Sequence, residues 1–71
     1  MLYSIHTNKG WWSGTGFTDY WLGAQKLADY EEQKRKSHRM VEEGLEAKVI
    51  RADRKTMEAM ALHHAANGKR S

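Results

Sequence analysis

The sequence predicts a small α+β fold in which a β-hairpin, a helix, a third strand and a second helix follow one another in ββαβα order. Three observations carry that expectation. Residues 2–7, "LYSIHT", are rich in β-formers and run into the turn-forming "NKG" before a second short stretch, "WWSG". "DYEE", Asp29 to Glu32, has the form of a capping box, with Asp29 accepting from the backbone of Glu32 and Glu32 reaching back. After Gly44, "LEAKVIRA" is patterned for burial and leads into a helix-like run, "DRKTMEAMALHHAANG".

The hairpin joins residues 2–7 to residues 11–14. With Asn8 and Lys9 in a type I turn and Gly10 at positive φ, Thr7 faces Trp11 and His6 faces Trp12. Trp11 then shares a face with Tyr3 and Ile5, whereas Trp12 lies beside His6 and Ser4, so Trp11 is the core indole. From Gly14 to Gly23, "GTGFTDYWLG" reads as a loop whose rings fold back over the sheet, Phe17 inward, and a short extended segment follows at Ala24 to Ala28.

The first helix, Tyr30 to about Glu43, carries Glu31 with Arg35, Glu32 with Lys36 and Arg39 with Glu43 at i,i+4 spacing. Its apolar stripe is thin, made of Tyr30, Ser37, Met40 and Val41, and Gly44 is placed to end it. Residues 45–52 read as a strand with Leu45, Ala47 and Val49 inward, because a two-stranded hairpin alone is marginal. The alternative is helical, since Val41, Leu45, Val49 and Ala52 also follow a helical stripe; the fold would then be a hairpin plus a helical hairpin without the third strand. In the last helix Asp53 caps, Met57, Met60, Ala61 and His64 share a face, and Asn67-Gly68 stops it.

Seventy-one residues make one domain, residues 1–71, near the size at which a single core barely offsets chain entropy. Little room is left for a catalytic cleft, and binding to a partner or to a second copy becomes an expectation. Cysteine is absent, which excludes disulfides, thiolate chemistry and Cys-based zinc sites. "MLYSIHTNKG" lacks the charged start and apolar run of a signal peptide, and no apolar stretch approaches the roughly 20 residues of a membrane span. A soluble, cytoplasmic protein is expected. Net charge is +3 and the pI about 9.4, which favours phosphate or an acidic protein surface, although nine carboxylates interleave with the twelve Lys and Arg.

The runs "YSIHTNKGWWSGTGFT" and "AQKLADYEEQKRKSHRMVEEGLEAKVIR" resemble a pattern of small accessory proteins of tailed phages, over about residues 2–52. In that pattern a short hairpin ends in a Trp-Gly-rich stretch, an Ala-basic-apolar segment leads into an acidic helix start, and a later strand closes a ββαβ unit. The resemblance implies a viral or mobile-element origin and a protein that binds and disables a host complex, of defence or transcription, in the host cytoplasm. The helix after Asp53 and the doubled Trp11-Trp12 are not part of the pattern, so no functional residue carries over from it.

The residues offer little for catalysis. His63 and His64 are consecutive and point about 100° apart on a helix, so they do not grip one metal from a single face. "SGTG" lacks the Gly-Lys-Ser/Thr ending of a phosphate loop, and Ser13 has no nucleophile-elbow context. The expectation is a non-enzymatic protein without metal or cofactor.

Binding is better supplied. Burying Trp11, Trp12, Phe17, Tyr20 and Trp21 together would need more partner atoms than the thin helical stripes provide, so Trp12, Tyr20 or Trp21 should present a surface. The run "KRKSHR" adds Arg35, Lys36 and Arg39, which would steer this anchor toward an acidic patch on a target protein. A rival reading has Trp12 and Trp21 stacking on bases while the same three cations contact phosphate. A third has a homodimer built on Met57, Met60, Ala61 and His64.

Overall fold

Strand β1 (Tyr3–Thr7) turns through Asn8 and Lys9 into β2 (Gly10–Trp12), and Gly10 adopts the expected positive φ, 111°. This computed structural model describes residues 1–68, with side chains as far as Leu62. The register differs by one residue from the sequence expectation: Thr7 pairs with Gly10 and His6 with Trp11. The Thr7 hydroxyl holds it there, accepting from the Lys9 amide at 3.0 Å and donating to the Gly10 carbonyl at 2.9 Å. Trp11 therefore shares a face with His6, whose ring meets it edge-on at 4.6 Å, and Trp12 moves to the face of Tyr3 and Ile5.

A further short strand, β3 (Phe17–Thr18), forms where a loop was expected, pairing Trp12 with Phe17 and Trp11 with Thr18. A tight turn makes this pairing local: the Ser13 amide donates to the Gly16 carbonyl at 2.8 Å, and the Ser13 hydroxyl accepts from the Gly16 amide. Residues 45–52 do contain the expected strand, β4 (Ala47–Arg51), which pairs antiparallel with β1 on its other side. The sheet order is β3-β2-β1-β4. Beyond Trp12 the chain at Gln25 to Leu27 takes over beside β1, with reciprocal backbone bonds between Tyr3 and Leu27 of 2.7 and 3.0 Å.

Helix α1 (Tyr30–Glu42) starts on the Asp29 carboxylate, which accepts from the Glu32 amide at 3.1 Å. Its end is a Schellman closure: Leu45 donates to the Met40 carbonyl at 2.9 Å, Gly44 donates to the Val41 carbonyl at 3.0 Å, and Gly44 sits at φ 95°. Helix α1 lies on β1 and β4, and the edge-on contact of Tyr30 with Tyr3 puts it on the Tyr3–Ile5–Val49 face. Beneath it Gln33, Ser37 and Met40 are buried, as is Ile5.

Helix α2 (Arg54–Gly68) begins at Asp53, whose carboxylate accepts from the Lys55 amide and the Thr56 hydroxyl. It crosses the opposite face, where Met57 packs on Trp11 and Ala24, with Trp21, Ile50, Ala52 and Met60 around them. Met57 and Trp11 are enclosed, at 0% and 1% exposure.

A sheet covered on both faces extends one expectation and corrects another. Leu45, Ala47 and Val49 are half-buried, Ala47 and Val49 on the α1 face as expected, and Ile50 is also half-buried, on the α2 face, so β4 packs on both sides. Phe17 is 38% exposed instead of inward, because it projects from the β2–β3 end, while α1 covers the β1–β4 end.

Candidate protein-binding site

After β3 the chain tightens into a 3-10 turn, Trp21–Gly23, through bonds from Gly23 to the Tyr20 carbonyl and from Ala24 to the Trp21 carbonyl. Gly23 fits closely here, since a Cβ on it would meet the Thr18 methyl at 3.3 Å. The turn roots Trp21 in the core around Trp11 and Met57 while turning its neighbours outward, Tyr20 to 60% exposure and Leu22 to 53%. The Tyr20 and Trp21 rings stand edge to face at 6.4 Å.

Tyr20, Trp21 and Leu22 form one wall of an open groove floored by Ala52 above the buried Met57, with Lys26 and Arg54 beside it. The Lys26 ammonium donates to the Leu22 carbonyl at 3.4 Å and to the Ala24 carbonyl at 3.1 Å, which fixes a cation next to the apolar wall. Arg54 reaches Glu58 only at 3.9 Å and stands largely in solvent. Such a surface suits an apolar side chain flanked by a carboxylate.

The six residues singled out from sequence do not make one patch. Tyr20 and Trp21 lie together in this groove. Trp12 lies on the opposite sheet face, half-buried and edge-on to Phe17 at 5.3 Å. Arg35 and Arg39 stand on the exposed side of α1, interleaved with Glu31 and Glu42. Lys36 is half-buried, 3.8 Å from Glu32 and 3.4 Å from the Gln25 side-chain oxygen. Of the three expected helical ion pairs, Glu32–Lys36 forms; among the described residues Glu31–Arg35 and Arg39–Glu43 do not come within 4.0 Å.

The proposed dimer face is also redrawn. Met57 is a core residue and offers no surface, Met60 and Ala61 are half-buried, and the His64 side chain lies outside the described residues. The sequence reading brought none of Leu22, Lys26 and Arg54 to the site. The one signal for them was Leu22 directly after Trp21, in a stretch too short to fix which ring turns out.

Among the described residues no group of three His, Asp or Glu is placed to hold a metal ion, and no helix is long and apolar enough to cross a membrane. No family model matches this chain, and neither does any curated protein or solved structure. What defines its class is the architecture itself, an α+β module with a four-stranded antiparallel sheet between two helices.

Proposed function

We propose that this chain is a non-enzymatic binding module that holds a partner protein in the Tyr20–Leu22 groove. The observation that supports the reading is the arrangement of the 3-10 turn: Trp21 is anchored in the core, so the flanking Tyr20 and Leu22 are displayed on a rigid base at little ordering cost. Lys26 and Arg54 beside them select a partner with an acidic flank. Inhibition of a host complex, the more specific version, rests on the phage-like sequence pattern.

Affinity capture from a host lysate, with Tyr20→Ser/Leu22→Ser as the comparison, tests it. A partner retained by the native chain and lost from the double variant supports the groove; a partner retained by both removes it. A Trp12→Ala variant would not test the anchor, since Trp12 packs on Phe17 and its loss would disturb the β2–β3 pairing. The nucleic-acid reading is weakened by the same geometry, because Trp12 and Trp21 stand on opposite sheet faces and offer no common stacking platform. Titration with generic DNA and RNA at low salt decides it: affinity falling steeply with added salt would favour that rival over the groove.

A further inference from the structure

We infer that the free edge of β4 is a second docking site, which takes up an extended acidic–apolar segment of a partner protein as a fifth strand. This inference is independent of the Tyr20–Leu22 groove, which lies beside α2.

The sheet has two edges of unequal quality. On one side β3 is two residues long; on the other β4 presents five. The ladder between β1 and β4 fixes which β4 groups face outward. Ala52 donates to the Leu2 carbonyl at 2.8 Å and Asn8 donates to the Glu46 carbonyl at 3.2 Å, so the hydrogen-bonded pairs fall at Leu2/Ala52, Ser4/Ile50, His6/Lys48 and Asn8/Glu46. The N–H and C=O groups of Ala47, Val49 and Arg51 therefore point away from the sheet. Among the described residues none of them has a hydrogen-bond partner. That is the template on which β-strand addition works.

The side-chain surroundings say what kind of strand fits. Along this edge a groove runs between α1 and β4, with Tyr30, Val41, Ala47 and Val49 as its apolar lining. Val41 is 54% exposed and Tyr30 44%, so α1 leaves apolar surface open where an added strand would lay every second side chain. Lys34 and Lys48 flank this groove, against Glu42. Lys48 and Arg51 on the strand itself are both exposed. An added strand thus meets apolar surface at alternate positions, Lys48 and the half-buried Ile50 at the intervening ones, and Arg51 at its end.

The same charges argue against a second copy of this chain as the occupant. The antiparallel register that matches all three outward residues is centred on Val49, and it sets the two Lys48 side chains diagonal to each other on one face. A strand carrying carboxylates there replaces that repulsion with attraction.

The test uses the full chain and a capped synthetic peptide of alternating Glu and Val, seven residues long by design, about the length of one strand, titrated while backbone amide spectra are recorded. The expected result is saturable shifts confined to Ala47–Arg51 and the facing side of α1, with amide exchange slowed at Ala47, Val49 and Arg51. A peptide of the same sequence, N-methylated at alternate amides, should fail to bind, because it keeps the side chains and loses the ladder donors. Lys48→Glu should raise the Kd about tenfold, losing an opposite-charge cross-strand pair and gaining a like-charge one. The inference is overturned if the N-methylated peptide binds equally well, if shifts map to Tyr20–Leu22 instead, or if sedimentation shows the free chain already dimeric through β4. Absence of binding at about 1 mM peptide, the weak end of specific recognition, also overturns it.

Discussion

At the scale of single residues, Gln33 is the most unusual choice in this interior. It is wholly enclosed beneath α1, donates from Nε2 to the Tyr3 carbonyl at 2.8 Å, and leaves its Oε1 buried without a partner. The Tyr3 carbonyl also accepts from Leu27, so losing Gln33 does not orphan it. Gln33→Met should accordingly change stability by less than about 1 kcal/mol, since a bond is lost but an unsatisfied oxygen goes with it. Gln33→Glu should behave differently. Burial would raise the folded carboxyl pKa above its unfolded value of about 4.3, so this variant keeps its stability below that pH and loses it progressively as pH rises. Urea midpoints at acid and neutral pH read the difference, and equal midpoints would contradict it. Glycines divide by what surrounds them. Gly44→Ala meets open space and should cost about 1–2 kcal/mol for its φ alone. Gly10→Ala should cost more, because its Cβ would stand 2.6 Å from the Thr18 carbonyl oxygen.

At the scale of elements, the two helices are held by different means. Helix α1 has a cap at each end and a buried face against β1 and β4. Helix α2 packs through Met57 and starts at Asp53, where the Thr56 hydroxyl and then the Lys55 amide hydrogen-bond to the carboxylate and hold it below the usual value of 3.8. A depressed folded pKa contributes stability that is present above 3.8 and is lost as pH falls through the lower folded value. Acid titration should therefore loosen α2 in that window, read by the fluorescence of the indoles it covers. Thr56→Val should shrink this acid-dependent part while leaving the neutral-pH spectrum unchanged; an unaltered acid profile would show that the cap is not its source.

At the scale of the whole molecule, the interior is small and split by the sheet into two thin layers. On the α2 side it is organised around Trp11, Ala24 and Met57. Met57→Ala should remove about 2–5 kcal/mol, a large share of what so short a chain can hold. Thermal unfolding followed by circular dichroism should show a lowered, broadened transition. A variant as stable as the native chain would mean that α2 is not part of the cooperative core. The same thinness explains why apolar side chains remain outside: Tyr20, Leu22, Tyr30 and Val41 have no third layer to enter, and two of them gather beside each proposed docking surface.

Local chemistry in the sequence determined most of the elements. The Asp29 cap, the Gly44 stop, the turn at Asn8–Gly10 and the helix after Asp53 each depend on residues within a few positions of one another, and each is where the residues place it; the residues of 47–51 fit strand and helix alike, and only the need of a hairpin for a third strand favoured β4, while β3 formed where the residues read as loop. The hairpin register was beyond that reach, because a one-residue slip is decided by where the Thr7 hydroxyl bonds and reverses every side chain after it. Trp11 is buried as expected, yet by α2 and not beside Tyr3 and Ile5, since covering both faces leaves an interior for either register. Which cations and rings stand together was decided only by tertiary structure. Arg35, Trp12 and Tyr20 are separated by the sheet and its layers, and Leu22, Lys26 and Arg54 are joined by the turn, because adjacency across a sheet depends on packing between segments that local pattern does not encode.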